Sequence, residues 1–531
     1  QITLDMFNAE QLQAVQFARE KKSFCLIGGA GTGKTTTQRG AIDALVSEQI
    51  VTTLAQGTEK VLTAGAPAVA VLSFTNKAVA NIKAALPQEF KSHCATMHKI
   101  LEYAPEEFEE EVVDSYGSET GEVLTRRRFV PRYGQTANGE GGGLELPHLD
   151  VVIIEEAGSV PTDLFNILLR ALPCHEDTVF IFLGDLNQLP PVFGDAILGY
   201  SLLDLPVVEL KQVYRQALLS PITTLATTIQ KGRAINDAAM ADMAQDNGEH
   251  GRLDVIPFNP QANRLTKSPE DKEKMAHNFG KHLYKMTIDG DFDPELDVVL
   301  IPFNKQFGTI ELNKWVGQAL RDMGNLTTYH VRAGREEYFL CEGDRVMYEK
   351  QECTIIEINQ NEKYLGDPTI VASPDLDRWG RNRGTDILKK EYKSFDEMAD
   401  LLDSVALADG DDKVNQSSHV IVIKSLETGE EFEAKTSAQL NTLLPLNVLT
   451  VHKSQGSEWR KVILVMHASH AGMWSRELLY TAVTRARHHL QIYYTGEQRG
   501  KINGSCFQRG VIKSEFNGIT LNAKLDYFRN K

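Results

Sequence analysis

The stretch SFCLIGGAGTGKTT, residues 23–36, decides the fold. Its first half is a short apolar run, which reads as a strand buried on both faces of a parallel sheet. Its second half matches the phosphate loop G-x-x-x-x-G-K-[ST]. Gly28, Gly31 and Gly33 let the backbone turn tightly and aim N–H groups inward, and Gly29, Ala30 and Thr32 complete the expected nucleotide-binding loop. A helix from Lys34 adds the positive end of its dipole. Lys34 is expected to reach the β and γ phosphates of ATP. The Thr35 hydroxyl is expected to ligate Mg²⁺, and Thr36 continues the site.

Outward from this loop the pattern repeats. AVAVLSF (68–74), VVII (151–154) and TVFIFLG (178–184) read as further strands, and residues 9–22 and NKAVANIKAAL (76–86) as helices. The alternation implies a doubly wound α/β sheet with ligands at the carboxyl ends of its strands. A second α/β region begins near 210, with strands at DVVLIPF (297–303) and LNVLTVH (446–452).

Two segments break the pattern. Residues 103–148 turn acidic, then basic, then glycine-rich, and read as an inserted hairpin with loops. Residues 328–445 carry antiparallel-looking strands (EEYFLCEGDRVMYEK, HVIVIKSLETGEEFEAK) and an acidic helix and loop at 394–412. The expected division is therefore 1–102 with 149–209, the insertion 103–148, 210–327 with 446–498, the β-rich insertion 328–445, and an extension at 499–531.

The strand VVII runs straight into Glu155 and Glu156. Two adjacent carboxylates there are costly without a cation. Mg²⁺ arriving with the triphosphate supplies one. Glu155 would hold it, and Glu156 would orient and deprotonate the attacking water.

Composition limits the alternatives. The chain of 531 residues is too long for one core. No apolar run is long enough to span a bilayer, and no basic-then-apolar leader opens the sequence. Six scattered cysteines without a CxxC pair argue for a reducing, intracellular setting with free thiols. A net charge of −16 leaves room for a local nucleic-acid channel.

The order of motifs resembles superfamily 1B DNA helicases of the phage Dda type and their RecD-like relatives. FNAEQLQAV (7–15) resembles the Q motif, SFTNKAVANI (73–82) motif Ia, CATMHKIL (94–101) motif Ib and GDLNQLPPV (184–192) motif III. VYRQ (213–216), LTVHKSQGSEW (449–459) and YTAVTRARHHL (480–490) resemble motifs IV, V and VI. The resemblance implies two RecA-like motor domains, a pin in the first and an SH3-like insertion in the second. It implies that Gln11 reads the adenine edge, Tyr214 stacks near the base, and Gln188 senses the γ-phosphate. Arg215 and Arg485 would act as arginine fingers, with Glu458, beside Gly456, touching the ribose. Glu155 departs from the family pattern, which usually has Asp there.

Single strands are held by phosphate contacts and base stacking. Thr75, Asn76, Lys77, Thr96, His98 and Lys99 follow strands of the first region. Asn304, Lys305, Thr450, His452 and Lys453 follow strands of the second. Together they read as a strand-binding floor, although any one could be a helix cap or loop residue. His98 and His452 lack the spacing of metal ligands. In RRRFVPRYG (126–134), Phe129 either stacks on the last base pair of a duplex or packs the insertion's own core. Arg126 to Arg128 either meet phosphates or form a solvated turn.

The reading is an ATP-dependent DNA helicase, expected to be a monomer, that acts on single-stranded DNA and duplex junctions, alongside replication or single-strand-binding proteins and away from membranes. The 5′ to 3′ polarity comes from the resemblance. An RNA helicase with the same motor, or a nucleic-acid-stimulated NTPase clamp without unwinding, are the alternatives.

Overall fold

The structure, a computed structural model, describes residues 4–113, 116, 118–185, 187–188, 205–214, 217–232, 235–257, 269–304, 307–324, 328–333, 336–348, 351–362, 364, 416–426, 429–436, 439–440, 443–495, 510–511 and 513. The chain falls into two compact units. One comprises Gln1–Tyr103, Pro131–Ala319 and Leu446–Lys531; the other comprises Ala104–Val130 and Leu320–Pro445.

The first unit holds two six-stranded sheets. In chain order the first sheet contains β1 (Phe24–Gly28), β2 (Val69–Ser73), β3 (Cys94–Thr96), β6 (Val151–Ile154), β7 (Val179–Gly184) and β8 (Val207–Leu210). Their spatial order is β3-β2-β6-β7-β1-β8, and every pairing is parallel. All residues of β1, β2, β6 and β7 are buried, as expected of strands covered on both faces. Phe24, Leu26, Val71, Ile153 and Ile181 share one core with Ile42 and Leu45 of helix α2 (Lys34–Ser47).

Helix starts follow local chemistry. α1 (Ala9–Arg19) opens with a capping box in which Asn8 and Gln11 satisfy each other's backbone N–H. α3 (Asn76–Ala85) and α4 (Met97–Ile100) are capped by the hydroxyls of Thr75 and Thr96.

The second sheet has the order β19-β11-β20-β21-β10-β9. Its members are β9 (Gln245–Asp246), β10 (Arg252–Pro257), β11 (Asp297–Leu300), β19 (Val448–Leu449), β20 (Trp459–Met466) and β21 (Ala486–Tyr494). Only β9 runs antiparallel to its neighbour.

The second unit is all antiparallel among its described strands. β4 (Ala104–Val113) and β5 (Glu119–Val130) form a hairpin. β12 (Thr328–Ala333) pairs with β13 (Glu336–Cys341). A five-stranded sheet follows, made of β14 (Arg345–Tyr348), β15 (Gln351–Gln360), β16 (Gln416–Ser425), β17 (Glu431–Thr436) and β18 (Leu444–Pro445). Val346, Ile355, Ile421, Ile423 and Ala434 form its core.

The hairpin is shorter than the insertion expected at 103–148. From Pro131 the chain belongs to the first unit, and the Leu146 N–H donates to the Ala171 carbonyl there. The hairpin itself groups with the β-rich segment. The acidic helix expected at 394–412 lies outside the described residues.

Candidate nucleotide and nucleic-acid site

The phosphate loop links β1 to α2. Gly33 caps the helix at φ +86, a conformation that favours glycine, and a Cβ there would come within 3.0 Å of both Gln11 Nε2 and Tyr214 Cε2. Lys34 Nζ donates to the Gly28 carbonyl at 2.7 Å. Thr35 and Thr36 are exposed on the first turn of α2.

Gln11 and Tyr214 meet beside this loop. The Tyr214 hydroxyl donates to Gln11 Oε1 at 2.6 Å and accepts from Asn8 Nδ2 at 3.1 Å. Gln11 Nε2 donates to Thr37 Oγ1, and Oε1 also accepts from the Asn8 N–H. These bonds fill the acceptor capacity of the Gln11 amide and leave one N–H for a ligand. The Tyr214 N–H donates to the Gly31 carbonyl, which fastens this segment to the loop. Arg215 and Lys305 lie outside the described residues, as does the Lys77 side chain.

β6 lies between β2 and β7, and β7 adjoins β1. The carboxyl end of β6 therefore delivers Glu155 and Glu156 close to the phosphate loop. Burial pushes the Glu155 carboxyl up to about 8, reinforced by the charges of Glu156 and Glu458 and opposed by Lys34. Glu156 has φ +50, a strained backbone for a non-glycine residue at the end of a strand. Burial also raises Glu458, against the pull of Arg485, Arg487 and Lys34. Three carboxylates and Lys34 thus act on one another electrostatically, while among the described residues no group of three or more His, Cys, Asp or Glu is gathered to hold a metal ion.

Arg485 reaches this neighbourhood from the second sheet, but it is 1% exposed. Its guanidinium donates to the Thr481 and Ser457 carbonyls and to Thr484 Oγ1. Gln188 is held through its backbone N–H on the Asp185 carbonyl.

The strand-floor candidates all follow strand ends. β2 and β3 are neighbours at one edge of the first sheet; β11 and β19 are neighbours at one edge of the second. Thr75 and Thr96 cap helices there, and Asn76 opens α3. The His98 ring packs against Tyr103 and Phe74. Lys99 stands near Lys83 and Lys60, and burial together with these like charges lowers its pKa. Asn304 is exposed and accepts from Thr309 Oγ1. Thr450 is buried and accepts from the Lys453 N–H, while His452 and Lys453 are exposed. Gly456, at φ +76, accepts the Thr75 hydroxyl through its carbonyl.

Phe129 stands elsewhere. It sits near the base of the hairpin, opposite Pro105. Its half-buried ring meets Phe432 edge-on at 5.4 Å and packs on the core of the five-stranded sheet. The ring is held by apolar contacts within its own unit and does not stand clear to meet a base pair. Tyr116, in the turn between β4 and β5, is 89% exposed.

Sequence reasoning missed three contributors. Asn81 on α3 donates to Glu458 and accepts from Arg487. Asp185 accepts a hydrogen bond from the Tyr480 hydroxyl. Tyr480 in turn accepts the Ala30 N–H of the phosphate loop.

Comparison with known proteins agrees with this geometry. Residues 11–194 match the AAA domain family and residues 445–493 the UvrD-like helicase C-terminal domain family. The ATP-dependent RecD2 DNA helicase of Deinococcus radiodurans is 26% identical over 87% of this chain. The RecBCD enzyme subunit RecD of Mycolicibacterium smegmatis is 25% identical over 91% of it. The chain spans 45% of the first relative's length and 70% of the second's. The crystal structure of the Pif1 helicase from Candida albicans aligns over 99% of both chains at 14% identity, with a TM-score of 0.38, too low to add to the assignment. The chain thus carries matches to the AAA domain and the UvrD-like helicase C-terminal domain, and over most of its length it is similar to RecD-type helicases.

Proposed function

We propose that this chain is an ATP-dependent DNA helicase that translocates 5′ to 3′ on single-stranded DNA and unwinds duplexes. The observation that carries the reading is the convergence of Lys34, Glu155 and Glu156 from the first sheet with Glu458 and Arg485 from the second. Phosphoryl transfer needs positioned charges around the γ-phosphate, and here two sheets supply them.

In this reading the backbone amides of the phosphate loop and Lys34 bind the triphosphate. Gln11 and Tyr214 hold the base. Thr35 and Glu155 would hold Mg²⁺, which when bound offsets charge on the β and γ phosphates. Glu156 takes a proton from the attacking water, and its fixed backbone aims the carboxylate. Gln188 registers the γ-phosphate, and Arg215 and Arg485 stabilise the charge that develops on it. Because the groups come from both sheets, hydrolysis changes what holds the sheets together. The polar groups at the edge strands β2, β3, β11 and β19 hold the DNA strand, so cleft movement becomes movement along it. Tyr116 on the hairpin tip replaces Phe129 as the aromatic wedge.

The test is ATP hydrolysis with and without single-stranded DNA, then unwinding of duplexes with 5′ or 3′ tails. Strand-stimulated hydrolysis and unwinding from a 5′ tail are expected. Hydrolysis without unwinding would favour a clamp, and stimulation by RNA alone would favour an RNA motor.

A further inference from the structure

Tyr480 is 1% exposed, on the helix Arg476–Val483 of the second-sheet region. Its hydroxyl makes two hydrogen bonds to segments far away in the chain. It donates to Asp185 Oδ2 at 2.6 Å and accepts from the Ala30 N–H at 2.9 Å. Asp185 opens the turn after β7 that carries Gln188. Its other oxygen accepts from both the N–H and Nδ2 of Asn187. Ala30 lies in the phosphate loop, where a Cβ on Gly29 would stand 3.3 Å from the same hydroxyl. The helix that carries Tyr480 leads directly to Arg485, whose Nε donates back to the Thr481 carbonyl. One phenolic oxygen therefore touches the loop that cradles phosphate and the turn that bears Gln188, and is rigidly joined to Arg485.

We infer that Tyr480 is a positioning residue for ATP hydrolysis, its hydroxyl setting the Asp185–Gln188 turn and Arg485 in register with the phosphate loop. The inference rests on the proposed hydrolysis reading. The ring alone could be core packing, since the whole face of its helix is buried. The hydroxyl is a different matter. A part-buried carboxylate–phenol bond beside a loop amide is a specific polar connection, and deleting the hydroxyl leaves the half-buried Asp185 carboxylate and Ala30 N–H without that bond. Burial and the Asp185 carboxylate hold the phenol well above its usual range, so it stays a donor to Asp185 at any working pH.

The experiment compares the full-length wild-type chain with Tyr480→Phe, Asp185→Ala, Asp185→Asn and the Tyr480→Phe/Asp185→Ala double variant. Each is measured for kcat and KM of ATP hydrolysis on single-stranded DNA and for thermal unfolding. Tyr480→Phe keeps the ring and should keep KM within about twofold while kcat falls tenfold or more. Asp185→Asn, which can still accept from the phenol, should retain more kcat than Asp185→Ala. The double variant should be no slower than the slower single. A kcat for Tyr480→Phe within twofold of wild type overturns the inference, as does a loss seen only in KM or one that multiplies in the double variant. A fall in kcat matched by a large loss of thermal stability in Tyr480→Phe assigns the residue to packing unless Asp185→Ala reproduces the fall in a stable protein. Wild-type protein without ATP hydrolysis would instead refute the proposed function.

Discussion

The Thr75 hydroxyl donates to the Gly456 carbonyl at 2.6 Å while accepting the Ala78 N–H, so one side chain both starts α3 and touches the segment after β19. Thr75→Ser keeps both bonds and should behave like wild type in melting. Thr75→Val keeps the shape and loses the cap, at a cost of about 1 kcal/mol. If the same hydroxyl belongs to the strand floor, Thr75→Val should also weaken DNA stimulation of ATPase beyond its effect on basal hydrolysis. Equal behaviour of Ser and Val variants in both assays would reduce Thr75 to a bystander.

Lys34→Ala should abolish hydrolysis by removing phosphate stabilisation. Glu156→Gln should bind ATP and fail to turn it over, because an amide cannot take the proton. Nucleotide binding by fluorescence together with phosphate release separates the two. Normal turnover in Glu156→Gln would send the search for the base to Glu458, whose carboxyl feels the Glu156 charge.

Arg485 should behave as a residue with two jobs. An arginine finger contributes roughly 10³–10⁵ in rate. Yet its donors also hold Ser457 and Thr481 in a dry interior, so Arg485→Ala should cost stability as well. Paired melting and single-turnover hydrolysis check this. A slow enzyme with an unchanged melting point would mean that the buried bonds are readily replaced.

Phe129 and Tyr116 should part company. Phe129→Ala removes a ring packed on Phe432 and should destabilise by ~3 kcal/mol or less, since the ring is half-buried. Tyr116→Ala should leave melting and DNA-stimulated ATPase near wild type and lower unwinding, as stacking on a base is worth ~1–3 kcal/mol. Full unwinding by Tyr116→Ala would remove the hairpin tip from the strand-separating role.

Acid should weaken the fold through buried imidazoles. Burial lowers His98 to about 4 and His470 to about 3, from an ordinary 6.5. Both folded values lie below that of the unfolded chain. Their stabilisation is complete above about 6.5 and is lost as pH falls toward the folded values. For the 5%-exposed His470 ring this amounts to at most ~1.4 kcal/mol per pH unit. His470→Phe, packed against Phe303 and Phe307, should flatten the fall in melting temperature between pH 7 and pH 5. An unchanged slope would place the acid sensitivity in other groups.

What could be read in the sequence was local. The runs at 69–73 and 151–154 are apolar without interruption, and the phosphate loop carries its own spacing. β20 and β21 went unread because charged and polar residues interrupt their first halves: Arg460 and Lys461 in WRKVILVM, and Arg487, His488 and His489 in ARHHLQIYY, break the apolar run although both ends of each strand are buried. The end of the hairpin at Val130 has no composition signal; backbone hydrogen bonds to distant segments return Pro131 onward to the first unit. The motif containing Tyr480 drew attention for its arginine. The value of the phenol depends on Asp185 and Ala30, 295 and 450 residues away in sequence, and no local pattern carries that.

The second sheet also constrains how the chain can be made. β10 and β11 leave the ribosome before β20 and β21, yet in the finished sheet those two strands lie between them. Until those two strands emerge, β10 and β11 have no common neighbour, and each presents an unpaired edge. The first sheet closes once Leu210 is synthesised; the second must wait for Tyr494. Synthesis therefore passes through a long interval with one finished sheet and two open strand edges, the kind of surface that invites aggregation. A chain stopped before Ala486 would lack β21 and so would keep an open edge on β10, which makes the completion of β21, more than that of the first sheet, the step that covers these strands.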